Sequence, residues 1–244
     1  GERTPEDAIT NPSGALVKAI MVAGAARMTG TGAGANPSQA QGFGRILLDD
    51  SLYFVGDDKG LFIHDEPVGL QTGEEHTYTL NVTGEQAIAM VLTWTDVAAA
   101  VSANPATVNA LRLEVEAPNG DIWTQKLPSG YNLNNADPTQ STSTTNYDNL
   151  NNVHRIQFDA PVAGDYEIRV RGINVPSGPQ KYALAAAGGL ELNTDPDFKL
   201  TVAPDTVAVC AGSTAEFDVG VQSRFDFFDP VNLTVAGLPA STTA

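Results

Sequence analysis

The sequence predicts a mainly β protein organised around a β-sandwich, and three observations support that fold class. Asp165–Arg171 reads DYEIRVR, so aromatic and aliphatic residues alternate with charged ones at the period of a half-buried strand. Turn signals recur along the middle of the chain, at Gly73, Thr83-Gly84, Asn119-Gly120 and Gly164. A hydrophobic content of 42% is enough for a substantial core.

At least six strands are predicted between Leu61 and Gly189. Three lie in the stretch NNVHRIQFDAPVAGDYEIRVRGINVPSGPQKYAL, residues 151–184, in which Ala160–Gly164 forms a turn. The other three are His76–Val82, Ala87–Trp94 and Leu111–Ala117. Strand parity places Trp94 in the core. The polar segment Tyr131–Asn152 is predicted to be a long loop.

The N-terminal region predicts a buried helix. Asn11 suits an N-cap and Pro12 a first helical position, so we expect a helix over Ser13–Met28. It is apolar on nearly all sides, which is typical of a helix that is buried all round. Because little else in the first sixty residues could surround it, its partners are expected outside this chain. A short second helix, in which leucines pack, is expected within Ile46–Leu52.

The C-terminal region predicts the opening of a second β module after a linker at Leu190–Asp197. The strands expected there are Phe198–Val202, Ala215–Val221 and Val231–Val235. A sandwich normally needs about seven strands. We therefore expect the chain to be an internal piece of a longer polypeptide.

The charge balance excludes some partners. The chain has 13 basic and 29 acidic residues, a formal net charge of −16. This argues against nucleic acid or an anionic membrane surface as a partner, because both attract positive charge. The chain contains no apolar run of transmembrane length. It suits a secreted protein or one that binds cations. The single cysteine, Cys210, cannot form an internal disulfide.

Several motifs in order resemble a known family. The 151–184 stretch, Trp94-Thr95-Asp96 and Ala117-Pro118-Asn119-Gly120 resemble the jelly-roll domain that follows the catalytic domain in one group of secreted subtilisin-like serine proteases, the subtilases. Asn11–Ala25 with the QGFGR sequence at 41–45 resembles the last helix and exit loop of the subtilase catalytic domain. The resemblance covers roughly Ile9 to Leu184.

The resemblance implies a fold and a domain order. Residues 1–60 would be the helical tail of an α/β subtilase catalytic domain, residues 61–190 a jelly-roll β-sandwich, and residues 191–244 a linker and the first strands of a truncated immunoglobulin-like β module. Cys210 would then pair with a cysteine beyond this chain. The remainder of the protease would pack on residues 11–28, and the protein would be secreted.

No catalytic residue is predicted in this chain. The D-(S/T)-G, H-G-T-H and G-T-S-M-A contexts that hold a subtilase Asp, His and Ser do not occur. The three histidines, His64, His76 and His154, lie in or beside predicted strands and are expected to be ordinary imidazoles, at the surface or partly buried. The resemblance implies that the parent is a serine endopeptidase acting on proteins or peptides. The chain itself would be its non-catalytic C-terminal portion, stabilising the catalytic domain.

Calcium is the predicted ion, because it prefers carboxylate and amide oxygens and the resembled domains bind it. The candidate ligands are Asp96, Asp148, Asp121 and Asn152. The alternative, that these residues form turns and solvated loops, remains open. Where the family has N-D-L-D, this chain has Asn109-Ala110-Leu111-Arg112, so one site is expected to be lost or weakened. One Cys and three scattered His make zinc an unfavourable alternative.

A second function class is a carbohydrate-binding or adhesion module, since jelly rolls host many sugar binders. Sugar sites present aromatic faces, and the candidates for an exposed set are Trp123, Tyr131 and Tyr147. Glycan binding that is lost in Trp123→Ala would favour this hypothesis over the protease module.

Overall fold

The computed structural model describes residues 9, 11–33, 36–38, 40–54, 57–125, 140–141, 147–191, 197–204, 206–210, 212–224 and 230–235. The chain divides into two units, one formed by Ala8–Leu192 and the other containing Asn193–Ala244. Tyr131 and most of the predicted long loop lie outside the described residues. In the part of the chain that is described, no helix is long and apolar enough to span a membrane.

The first unit begins with short elements. Helix α1 is Gly14–Ala23 and helix α2 is Leu48–Ser51. Between them, β1 (Ala25–Ala26) pairs with β2 (Arg45–Ile46) in a small antiparallel sheet.

Nine strands follow and make the sandwich. They are β3 (Gly60–Leu70), β4 (Glu75–Val82), β5 (Ile88–Thr93), β6 (Ala110–Glu116), β7 (Ile122–Gln125), β8 (Gln140–Ser141), β9 (Val153–Phe158), β10 (Gly164–Asn174) and β11 (Gln180–Gly188). One sheet has the order β3-β11-β5-β9 and the other the order β4-β10-β6-β7-β8. The predicted mainly β sandwich is confirmed.

The pairing pattern is that of a jelly roll. β3 pairs with β11, β4 with β10, β5 with β9 and β6 with β7, all antiparallel. First pairs with last and second with next to last, so the strands form one long hairpin that is rolled into two sheets. The sequence missed β3, β7 and the two-residue β8, because none of them shows a clear apolar alternation.

The core lies between the two sheets. Trp94 is 2% exposed, as strand parity predicts, and its indole Nε1 donates to the Asn109 carbonyl at 3.0 Å. The alternating residues of β10 behave as predicted, since Tyr166, Ile168 and Val170 are all buried.

Helix α1 is shorter than predicted and begins later. Ser13, not Asn11, is the N-cap, and its Oγ accepts from the Leu16 N–H at 3.0 Å. Asn11 has φ 60°, a left-handed conformation outside the helix. The helix ends at Ala23 and is capped by Gly24, where a Cβ would collide with Ser51. The two alanines that follow Gly24 pair as β1 instead.

One side of α1 is buried within this chain. Ala15, Leu16, Ala19 and Ala23 pack against the outer face of the β3-β11-β5-β9 sheet, the face turned away from the sandwich core. The expectation that all partners of the helix lie outside the chain is therefore wrong for this side. Sequence reasoning missed this packing of α1 on the sheet, because the outer-face residues of β11 are small alanines, which do not by themselves indicate a docking surface.

The other side of α1 carries Val17 and Met21, which are 46% and 37% exposed. The predicted leucine packing of the second helix is also wrong, since Leu48 and Leu52 are exposed and only Ser51 is buried. α2 nevertheless contacts α1 through Ser51 beneath Gly24.

The second unit contains an antiparallel pair, β12 (Asp197–Ala203) and β13 (Asp218–Arg224). These agree with two of the predicted strands, although β13 starts three residues later than expected. Residues 230–235 form no strand, so the third prediction is wrong. Cys210 is a free, exposed thiol.

Candidate functional site

Asp148 precedes β9, and its side chain is 1% exposed. Its Oδ1 accepts from the backbone N–H groups of Leu150 and Asn151 at 2.9 and 3.0 Å, and its Oδ2 accepts from the amides of Gln125 and Asn151 at 2.7 and 2.8 Å. Four N–H donors thus compensate the buried carboxylate. Asp148 holds the 148–151 turn against the end of β7.

Asp96 follows β5 and is half-buried. Its carboxylate accepts from the N–H groups of Val97, Val108 and Asn109 at 2.7–3.0 Å. Asn109 is fully buried and continues the network, because its amide donates to the Ser177 carbonyl at 2.8 Å and accepts from the Ser177 N–H at 3.1 Å. Asp96 therefore fixes three loops at one end of the sandwich.

Asn152 lies at the same end, where its Nδ2 donates to the Trp94 carbonyl at 3.0 Å. Its Oδ1 accepts from Lys18 Nζ of α1 at 3.4 Å. Asp121 is elsewhere: it belongs to the turn after β6, at the far end of the strand from Asn109, and its exposed carboxylate accepts from the Asn119 amide at 2.8 Å.

The four predicted calcium ligands do not form one ligand set. Three lie at one end of the sandwich and Asp121 lies at the other. Calcium needs oxygen atoms turned toward it, whereas the oxygens of Asp96 and Asp148 are turned toward N–H donors. No cluster of three or more His, Cys, Asp or Glu suited to a metal occurs in the described ranges. Calcium binding stays a prediction.

Arg112 stands where the family motif N-D-L-D has an aspartate, and it interacts with Glu114 and Tyr147. Its Nη2 pairs with Glu114 at 2.7 Å, and its guanidinium lies 4.4 Å from the centre of the Tyr147 ring. A cation over an aromatic face is favourable. A positive charge therefore stands near His154, on which it acts electrostatically.

His154 is fully buried in the core, edge-on to Trp94 with ring centres 5.4 Å apart. Its Nδ1 accepts from the Leu113 N–H at 3.2 Å. Burial lowers the pKa of His154 to about 4, while Asp148 raises it and Arg112 lowers it by smaller amounts. The ring is therefore neutral at pH 7 and acts as a structural acceptor.

A polar cluster that sequence reasoning missed fills the space between the edge strands β3 and β4. Glu66 Oε2 lies 3.2 Å from His64 Nε2 and 3.7 Å from His76 Nδ1, and His76 Nδ1 lies 2.8 Å from the Tyr182 hydroxyl. Burial by itself raises the pKa of Glu66, but hydrogen bonds from Val68, His64 and Gly69 outweigh it and leave the pKa below its usual value. The inward parity of His64, Glu66 and His76 was the signal that could have found this cluster.

A second arrangement joins α1 to the sheet. The N–H and the hydroxyl of Ser13 both donate to the carboxylate of Asp65 on β3, each at 2.7 Å. The hydroxyl of Thr93 on β5 donates to the Ala15 carbonyl at 2.6 Å. An anionic side chain at a helix N-terminus is favourable, so Asp65 both anchors and stabilises α1.

Two of the three aromatic candidates for sugar binding are described, and both are engaged in the fold. Trp123 is half-buried and packs edge-on against Phe158, with ring centres 5.7 Å apart. Tyr147 has Arg112 over its ring, and Tyr131 lies outside the described residues. Neither of the two described rings, Trp123 and Tyr147, is therefore free of contacts within the fold.

No protein-family model matches the chain. A curated protein of Dictyostelium discoideum, the serine protease/ABC transporter B family protein tagA, is 28% identical over 191 residues, which is 74% of this chain and 10% of that protein. The chain thus spans about a tenth of the length of this relative.

Among solved structures, the periplasmic g-type lysozyme inhibitor PliG of Aeromonas hydrophila matches 57% of this chain and 92% of its own. Its sequence identity is 13% and its TM-score is 0.26. The match to tagA supports a distant relation to a protein whose name includes a serine protease.

Proposed function

We propose that this chain is a non-catalytic part of a secreted subtilisin-like serine endopeptidase, in which the jelly roll stabilises the catalytic domain. The observation that carries the proposal is the two-sided position of α1. One side is buried on the jelly roll, and the other presents Val17 and Met21 to solvent. This is the segment whose sequence resembles the last helix of a subtilase catalytic domain. The distant relation to a protein named as a serine protease supports the same proposal.

Further exposed apolar side chains follow α1 along the chain. They lie in or beside β2, which pairs with the strand that follows α1, and α2, which contacts α1. These residues are Ile46, Leu48, Leu52 and Phe54. We call these residues, with Val17 and Met21, the α1 surface. Large exposed apolar side chains that accumulate in one region are typical of an interaction surface. In the proposal, this surface contacts the rest of the catalytic domain.

The first test is enzymatic. The purified chain is expected to show no turnover of a peptide substrate, because none of its described histidines hydrogen-bonds to a serine hydroxyl. Turnover by the purified chain would overturn the assignment of a non-catalytic part.

The second test is binding to a catalytic domain encoded upstream of this chain. We expect Val17→Asp with Met21→Asp to weaken that binding by at least about tenfold, since each buries a charge at the interface. The matched control is Val162→Asp, which places the same charge at a 64% exposed position in the turn before β10. Equal affinity of the double variant and the control would reject the α1 surface as the docking site.

Calcium is a separate part of the proposal. If Asp96 or Asp148 binds it, calcium should raise the unfolding temperature saturably, and the chelator EDTA should reverse the effect. Asp121→Asn is the control, because Asp121 lies at the opposite end of the sandwich. An unfolding temperature that does not respond to calcium would remove the ion from the proposed function.

A further inference from the structure

Arg155 is a buried cation that forms no ion pair with any carboxylate the structure describes. It lies on β9, is 8% exposed, and points to the outer face of its sheet. Its Nη1 donates to Asn36 Oδ1 and its Nη2 to the Ala25 carbonyl, both at 3.2 Å. Its Nε has no hydrogen-bond partner, and no described carboxylate forms an ion pair with it.

Burial of the Arg155 guanidinium without an ion pair costs free energy, because a buried charge normally needs an ionic partner. Burial lowers the pKa of Arg155 to about 10, and Asp159 opposes the effect only from beyond ion-pair distance. The guanidinium therefore remains cationic at pH 7. The charge of Arg112, by contrast, is compensated in the usual way, because its guanidinium pairs with Glu114 and stacks on the Tyr147 ring.

A cavity of about 210 Å³ adjoins Arg155, just beyond the C-terminal end of α1. Two more cations, Arg27 and Lys59, line it, together with one carboxylate, Asp50, that is already paired with Lys59. Its remaining walls include small residues that leave this space open, among them Gly24, Ala89, Ala187 and Gly188. A positive cavity is unexpected in a chain whose net charge is −16.

The size of the cavity limits what can enter it. Sites for drug-sized ligands measure about 300–1,000 Å³, so 210 Å³ admits only a small molecule or the end of a side chain. A guanidinium offers planar N–H pairs that match a carboxylate, and within the described part of the chain only two of the five N–H groups of Arg155 donate a hydrogen bond, with Nε left without a partner. We propose that the cavity beside Arg155 binds a carboxylate, supplied by a small organic acid or by an acidic side chain of a neighbouring polypeptide.

The test replaces chloride with acetate at constant ionic strength and follows the unfolding temperature of the whole chain. We expect a saturable rise for the wild type and at least about tenfold weaker binding for Arg155→Gln. Arg171→Gln is the matched control, because it removes the same charge from an exposed position on the other sheet. No saturable difference between acetate and chloride, or equal binding by Arg155→Gln, overturns the proposal.

Arg27→Gln keeps the test decisive if Arg155→Gln does not fold. Arg27 is exposed and lines the same cavity, so its loss should weaken acetate binding without unfolding the chain. Unchanged acetate affinity would then overturn the proposal. A Gly-Glu-Gly peptide with blocked termini shows which kind of molecule supplies the carboxylate. If the peptide binds more tightly than acetate, the carboxylate comes from an acidic side chain; if it binds more weakly, it comes from a small organic acid. This inference does not depend on the proposed protease function.

Discussion

The two faces of the β3-β11-β5-β9 sheet are both buried, but they are built from residues of different size. The inner face packs large side chains against the opposite sheet, among them Tyr182, Leu184, Met90, Leu92 and Ile156. The outer face presents small ones to α1, among them Ala183, Ala185, Ala187 and Val91. The difference shows that alternation of large and small residues, rather than of apolar and polar ones, marks a strand that is covered on both sides.

The small outer face permits close approach of the helix backbone. Thr93 reaches the Ala15 carbonyl with its hydroxyl at 2.6 Å, and Ala19 of the helix is fully buried against the sheet. Two consecutive residues of β9 show the same difference between the inner and outer faces of the sheet. His154 is buried among the inner-face residues as a neutral acceptor, whereas Arg155 is buried on the outer face as a cation.

The largest expected effect is the loss of a large inner-face residue. Leu184→Ala should lower the free energy of unfolding by about 2–5 kcal/mol, because Leu184 is fully buried and its removal leaves a cavity. Urea denaturation of the variant measures the effect. A cost below about 1 kcal/mol would contradict tight packing of the inner face.

The second prediction concerns His154 and pH. Its folded pKa of about 4 lies below the unfolded value of 6.5, so the folded state resists protonation. The contribution of the neutral His154 to the free energy of unfolding is complete above pH 6.5 and is lost as the pH falls toward 4. The total loss is about 3 kcal/mol, of which about 2 kcal/mol falls between pH 7 and pH 5. His154→Gln should remove this part of the pH dependence in urea unfolding. His64→Gln, at a partly exposed position, is the control, and an unchanged profile in His154→Gln would contradict the prediction.

The smallest expected effect is on the outer face. Ala185→Leu adds atoms beneath α1 and should cost about 1–3 kcal/mol, because the well-packed interface must shift. Hydrogen exchange of residues 14–23 should rise in the same variant. A neutral or stabilising effect would mean that α1 does not cover this face in solution.

Elements with local signals were predictable. The charged-apolar alternation of β10 predicted both its faces, and Gly164, the first residue of β10, takes the positive φ of 134° that the turn into the strand needs. Trp94 was placed in the core by parity alone. Helix α1 was placed correctly but made too long, because Ala25 and Ala26 favour a helix locally and only their pairing with β2 removes them from it.

The candidate site was less predictable, because its interactions join distant parts of the chain. Asp148 and Asp96 were selected as oxygen ligands by type. Their actual partners, such as Gln125 and Val108, are 23 and 12 residues away in sequence. The His64–Glu66–His76 cluster likewise requires two strands from different sheets to face each other at one edge.

The sequence by itself determined the β class, most strands of the jelly roll, the buried Trp94 and the existence of α1, since these depend on residue periodicity and local conformational preference. Only the tertiary structure decided which side of α1 is covered, which groups donate hydrogen bonds to Asp148, and that Arg155 is buried with no ion pair to a described carboxylate. The physical reason is that burial and charge compensation are properties of the space between elements, and that space exists only once the sheets and the helix have packed.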